Sequence, residues 1–135
     1  MKRILSITWI CLLAFIGIAQ AQTKEDYVEI MYFHGKQRCA TCMAIEKHAR
    51  EVVETYFLDQ MKKGNVRFKI VDISTEEGAK LAKNYKVSWS SLYVNKWKNG
   101  EETRNDLTRF GFQHARTKTE EFKKGLKEKI KEQLK

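Results

Sequence analysis

A chain of 135 residues, 42% of them hydrophobic and 32% charged, has the length of one domain and the material for one core. Its formal charge of +9 arises from lysines interleaved with glutamates, as in EEFKKGLKEKIKEQLK (120–135). That is the pattern of a solvated helix face, and it argues against a nucleic-acid or membrane patch.

The chain begins with Lys2 and Arg3, an uncharged and mostly apolar stretch from Ile4 to Ile18, and Ala19-Gln20-Ala21. This is the layout of a signal peptide spanning 1–21, cleaved after Ala21, with a domain at 22–135; the apolar run is short for a hydrocarbon core of about 30 Å. Cys11 falls within the discarded part, and Trp9 and Ile10 stand where lipid attachment wants small residues. The expected location is therefore periplasmic or extracellular, where a cysteine pair can persist oxidised and no nucleic-acid partner is expected.

Residues 22 to 26 read as a polar leader. YVEIMYF (27–33) is rich in β-formers and largely apolar, as expected of a central strand covered on both faces. A helix follows, in which Cys42, Ile45, Ala49, Val52, Val53 and Tyr56 form one apolar face at helical period. VRFKIVDI (66–73) begins with strict alternation and reads as a second strand. Ser74 and Glu77 form a capping-box pattern, so TEEGAKLAKNY (75–85) is the next helix. SLYVNKW (91–97) and TRNDLTRF (103–110) flank Asn99-Gly100, a hairpin signal, and so form an antiparallel pair. Phe122, Leu126, Ile130 and Leu134 recur every four residues and mark a C-terminal amphipathic helix. The fold class is α/β, a mixed central sheet of about four strands with helices on both faces. Strands separated by helices are expected to pair in parallel, and the hairpin antiparallel.

The chemistry concentrates in RCATC (38–42). Cys42 belongs to the buried stripe of its helix. Cys39 lies one turn earlier, at the helix N-terminus, where unpaired N–H groups and the dipole favour an anion. An ordinary thiol with a pKa of about 8.5 is about 3% ionised at pH 7, whereas one lowered to about 7 is half ionised. Arg38 by adjacency, and a cationic His34 if it folds back, would add to that shift. Cys39 would then attack a disulfide and Cys42 would resolve the product. A mere staple is a weak explanation, because so small a loop is worth about 2 kcal/mol. Structural zinc wants four ligands in characteristic pairs, and His34, His48 and His114 do not supply the spacing; His48 reads as plain surface. Covalent haem needs histidine where Met43 stands. Copper stays open, because Met43, His34 and the two thiols are suitable ligands. A docking domain with incidental thiols is a third reading.

Tyr32-Phe33 before the loop, Cys39-Ala40-Thr41-Cys42 opening a helix, Tyr85-Lys86-Val87 before a strand, Lys98-Asn99-Gly100-Glu101 and Phe110-Gly111-Phe112 together resemble the thioredoxin family. FHGKQRCATC (33–42) is similar to a group of exported bacterial thioredoxin-like proteins. The resemblance covers about residues 27 to 134. It implies a thioredoxin-like fold and thiol–disulfide oxidoreductase activity on protein or small-thiol substrates, with Cys39 as nucleophile and Cys42 as resolving thiol. The Cys39–Cys42 disulfide would be its own redox centre, with no other cofactor and no resident metal. Partners would be protein thiols and disulfides, including a membrane or periplasmic redox partner, and the protein would be monomeric.

The chain departs from the family in two places. It contains no proline, whereas thioredoxins set a cis-proline opposite the dithiol. The matching stretch is Trp89-Ser90-Ser91, with Ser91 at the position itself, and these three are the expected substrate contacts. A non-proline cis bond costs about 3–4 kcal/mol, so a trans peptide is expected. Tyr32 and Phe33 stand where the family has a buried acid, leaving water, His34 or Glu46 to take its place. Trp89 is read as a partner contact as readily as packing, and Trp97 as core. Ala40-Thr41 matches neither of the best-known intervening pairs, so the direction of electron flow is open. A soft-metal chaperone using the same dithiol is the alternative function.

Overall fold

The computed structural model describes residues 24–135. The expected signal peptide and Cys11 lie outside the described residues. The elements are β1 (Tyr27–His34), α1 (Ala40–Tyr56), α2 (Leu58–Lys63), β2 (Val66–Asp72), α3 (Glu76–Tyr85), β3 (Ser91–Lys98), β4 (Glu101–Asp106), α4 (Thr108–His114) and α5 (Thr119–Leu134).

Side chains of a strand point alternately to opposite faces, and β1 sorts the core accordingly. Val28, Ile30 and Tyr32 face one way. They meet Leu92 and Val94 of β3, Ile45, Ala49, Val52 and Val53 of α1, and Phe122, Leu126 and Ile130 of α5. Met31 and Phe33 face the other way and meet Val71, Ala82, Tyr85 and Tyr93 under α3. Each fully buried Phe, Leu or Ile on the α5 stripe contributes roughly 1.5–3 kcal/mol relative to exposure. This burial, more than helix propensity, holds a lysine-rich segment in place.

The sheet order is β2-β1-β3-β4, a mixed four-stranded sheet with helices on both faces. β1 and β2 are parallel, with Val28 opposite Val66 and His34 opposite Asp72. β3 is antiparallel to β1, with Phe33 opposite Ser91 and Tyr27 opposite Trp97. That corrects the expectation of parallel pairing across every helix. The chain leaves β2 beside His34 and enters β3 beside Phe33. Helix α3 and the turn after it therefore return the chain to the end it left. The hairpin of β3 and β4 turns through Asn99 (φ 53°) and Gly100 (φ 78°), both left-handed, as a two-residue type I′ turn requires. The fold is thioredoxin-like by this topology, with the dithiol at the end of the β1–α1 connection.

Local details differ from the sequence reading in five places. Tyr56 is 52% exposed and Phe57 takes its place in the core, because the chain turns at residue 57 into α2, which sequence periodicity did not reveal. The cap of α3 is Thr75, whose Oγ1 accepts from Gly78 N–H at 3.0 Å. Ser74 instead donates its N–H and hydroxyl to Asp72, and those bonds hold the Asp72 carboxyl below the usual range. Strand β4 begins at Glu101 and stops at Asp106; Leu107-Thr108-Arg109-Phe110, expected to extend it, leads into α4. His48 is not plain surface: its ring is largely covered and lies 2.8 Å from Glu51, which also pairs with Lys123 of α5 at 2.8 Å. Trp97 is only half-buried and stacks on Tyr27.

Candidate active site

Four segments meet at the end of the sheet where β1 and β2 stop and β3 begins. The β1–α1 turn brings Gly35, Gln37, Arg38 and Cys39, and the first turn of α1 brings Cys42. Ile73 follows β2, Ser88, Trp89 and Ser90 precede β3, and Phe112 comes from α4. Together they line an open groove of about 670 Å³. Helix α4 reaches this end because Leu107 N–H donates to Leu92 O at 2.8 Å and Leu92 N–H donates to Thr108 Oγ1 at 3.0 Å. It can lie close to α1 because Gly111 has no side chain. A β-carbon there would sit 3.2 Å from Ile45 Cδ1.

Cys39 and Cys42 form a disulfide with Cα atoms 5.0 Å apart. Cys39 is the N-cap of α1, in extended conformation, and its Sγ accepts from Cys42 N–H at 3.0 Å. Its sulfur thus occupies the place where a serine or aspartate oxygen usually receives an orphan N–H. Cys39 is exposed, whereas Cys42 is only 7% exposed. The inequality expected from the helix pattern is therefore present, with both sulfurs on the same groove. Beneath them the Tyr32 hydroxyl donates to Cys42 O at 2.7 Å. This supports the first turn of α1 from β1, at the position where the family resemblance implies a buried acid.

Of the other expected residues, Arg38, Trp89 and Ser90 line the groove with the cysteines. Trp89 is 65% exposed and lies flat against Phe112, ring centroids 5.8 Å apart. Ser91 is the first residue of β3, buried, and its hydroxyl donates back to Trp89 O at 3.3 Å. It closes the turn and does not line the groove. No cis peptide bond occurs among the described residues, so the Ser90–Ser91 link is trans, as expected. His34 stays at the end of β1, its Nδ1 3.1 Å from Gly35 O and its ring 6.2 Å from that of Tyr32. It is absent from the groove lining. Arg38 pairs with Glu46, and Arg50 Nη2 lies 3.6 Å from the other Glu46 oxygen. Met43 is 52% exposed beside Arg38 and Glu46. Among the described residues no three His, Cys, Asp or Glu side chains gather into a cluster able to hold a metal ion.

Sequence reasoning missed Phe112, Ile73, Ser88 and the partnership of Arg38 with Glu46. The spacing of Arg38 and Glu46, eight residues across a loop-to-helix boundary, carries no periodic signal. Phe112 was visible only as half of an aromatic pair around Gly111.

No family model and no curated protein matches the chain. Among solved structures it is similar to a thioredoxin from Thermus thermophilus, at 22% identity over 76% of this chain and 72% of that one, with a TM-score of 0.48. It is also similar to a malarial protein, at 19% identity over 73% of this chain and 96% of that one, with a TM-score of 0.44.

Proposed function

We propose that this protein is an exported thiol–disulfide oxidoreductase. The observation that carries the reading is the disulfide itself: an exposed Cys39 capping a helix, with a sheltered Cys42 one turn behind, on an open groove. In the reduced protein the Cys39 thiolate attacks one sulfur of a substrate disulfide and forms a mixed disulfide. The other substrate sulfur leaves as a thiolate, which takes up a proton. Cys42, losing its proton, then attacks the Cys39 sulfur. The Cys39–Cys42 bond closes and the second substrate sulfur departs. Run backwards, the same steps oxidise a substrate dithiol. The helix terminus stabilises the thiolate at Cys39 specifically, because the dipole and the Cys42 N–H both point at that sulfur. The redox centre is the cysteine pair alone, the substrates are protein or small-molecule disulfides and thiols, and the working form is a monomer.

Insulin reduction with dithiothreitol as electron donor tests the reading. Turnover above the uncatalysed rate, abolished by Cys39→Ser, is the expected result. Stoichiometric copper held by both thiols without turnover would put a soft-metal carrier in its place. Alkylation of Cys39 in the reduced protein should show an apparent pKa below the usual value of about 8.5. An unshifted value would remove the activated nucleophile.

A further inference from the structure

Arg38 is held in a way that leaves one donor stranded. Its Nη2 binds the Glu46 carboxylate, and its guanidinium carbon lies 5.8 Å from the centre of the Tyr32 ring. Its Nε–H is buried and has no acceptor among the described residues. A buried donor without a partner forfeits its hydrogen bond to water and is destabilising. Such groups are rare, and where they occur a redox or catalytic role is among the explanations to test. The Glu46 carboxylate engages Nη2, at the far end of the guanidinium from the buried Nε. Arg38 immediately precedes Cys39, and both line the same groove. In the oxidised protein the Cys39 sulfur is a neutral, weak acceptor already receiving the Cys42 N–H. Reduction turns that sulfur into an anion, and hydrogen bonds to ionised groups are roughly twice as strong as neutral ones.

We propose that the Arg38 Nε–H is reserved for the Cys39 thiolate: unpaired in the disulfide, it gains its acceptor when the disulfide is reduced. The inference rests on the thiol–disulfide reading above. In equilibrium with glutathione, two glutathione thiols give up two electrons and become one glutathione disulfide. The Cys39–Cys42 bond accepts those electrons and becomes a thiolate and a thiol, with one proton released. The stranded donor disfavours the oxidised side and its new bond favours the reduced side. Arg38 therefore makes the disulfide easier to reduce than the helix terminus alone would.

The test is the glutathione equilibrium of wild type, Arg38→Met and Arg38→Lys. Arg38→Met should lower the equilibrium constant for reduction about tenfold, equivalent to about 30 mV for a two-electron couple. Arg38→Lys, which keeps the charge but not the anchored Nε–H, should fall between the two. A value for Arg38→Met within twofold of wild type overturns the proposal. So does an Arg38→Lys protein that matches wild type, since charge alone would then suffice. A second measurement needs no variant: the ¹⁵N-labelled Nε–H resonance of Arg38 should move and exchange more slowly with water on reduction. Identical resonances in both states overturn the proposal. Neither measurement uses insulin turnover, so loss of the enzymatic reading and loss of this bond are separately visible.

Discussion

The two faces of the sheet are built by different rules. One is covered by α1 and α5 and is apolar apart from the Tyr32 hydroxyl, from Val28 and Ile30 to Phe122, Leu126 and Ile130. The other carries α3 over its groove end, where Met31, Phe33, Val71 and Ala82 pack. Farther from the groove it becomes polar. Asn95, fully buried, donates to the Tyr85 hydroxyl at 2.8 Å and to Glu102 at 3.1 Å. Tyr85 in turn donates to Glu102, and Arg104 lies over the Tyr85 ring and binds Glu102 at 2.8 Å. Burial, reinforced by the Glu102 carboxylate, pushes the Tyr85 phenol up. Glu29, opposite Asn95 across β1 and β3, also has its carboxyl raised by burial. The apolar face draws its stability from area removed from water and tolerates no gaps. The polar face depends on the bonds joining Asn95, Tyr85, Glu102 and Arg104, so it specifies geometry at a cost in desolvation.

Removing a large side chain from the apolar face should therefore have the greatest effect. Phe122→Ala is expected to lose about 4 kcal/mol in urea denaturation, and a loss below about 1 would mean that this face is not the main support. Gly78→Ala strikes the edge of the other face. A β-carbon there would lie 1.9 Å from the Asp72 carbonyl oxygen, and because that atom is backbone, the start of α3 must shift. Roughly 3 kcal/mol is expected from such overpacking, read by the same denaturation experiment. Asn95→Ala removes the donor to Tyr85 and Glu102 and should cost about 1–3 kcal/mol. Trp89→Ala marks the lower end. With 65% of the residue exposed, its stability should stay within about 0.5 kcal/mol of wild type, while insulin turnover falls several-fold.

Acid separates two glutamates whose carboxyls are shifted in opposite directions, Glu51 in the surface pairs that join α1 to α5 and Glu29 on the polar face. Bonds from Lys123 and His48 hold the Glu51 carboxyl down at about 2. Its stabilisation is present above the ordinary carboxylate value and is lost as pH falls towards about 2. Glu29 is shifted upward, so the folded state keeps a proton that the unfolded chain has released. Its contribution is most favourable below the ordinary value and declines as pH rises through its native pKa. Thermal melts from pH 2 to 7 should show Glu29→Gln gaining over wild type at neutral pH, with the gain gone below about pH 4. Glu51→Gln should lose at neutral pH and converge with wild type near pH 2. Parallel curves for the two variants would remove the opposite shifts of Glu51 and Glu29.

What could be read without coordinates had a local cause. Cys39 at a helix start, Cys42 on its buried stripe, the Asn99-Gly100 turn and the Phe122-Leu126-Ile130 stripe are each set by a repeat of two, 3.6 or four residues, or by a turn needing positive φ. The failures were also local in form. Tyr56 and Phe57 are adjacent, and one turn of chain direction decides which is buried. Ser74 and Thr75 are both competent caps, and the claim of Asp72 on Ser74 decides between them. The antiparallel entry of β3, the seating of Phe112 against Trp89, the Tyr32 hydroxyl under Cys42 and the Arg38–Glu46 pair came only from tertiary structure. Each joins segments whose separation along the chain carries no periodic mark. Which of them meet depends on strand register and helix packing, and those are settled by burying the whole core at once. The sequence by itself determined that two unequal sulfurs would stand at a helix tip. The fold decided what faces them.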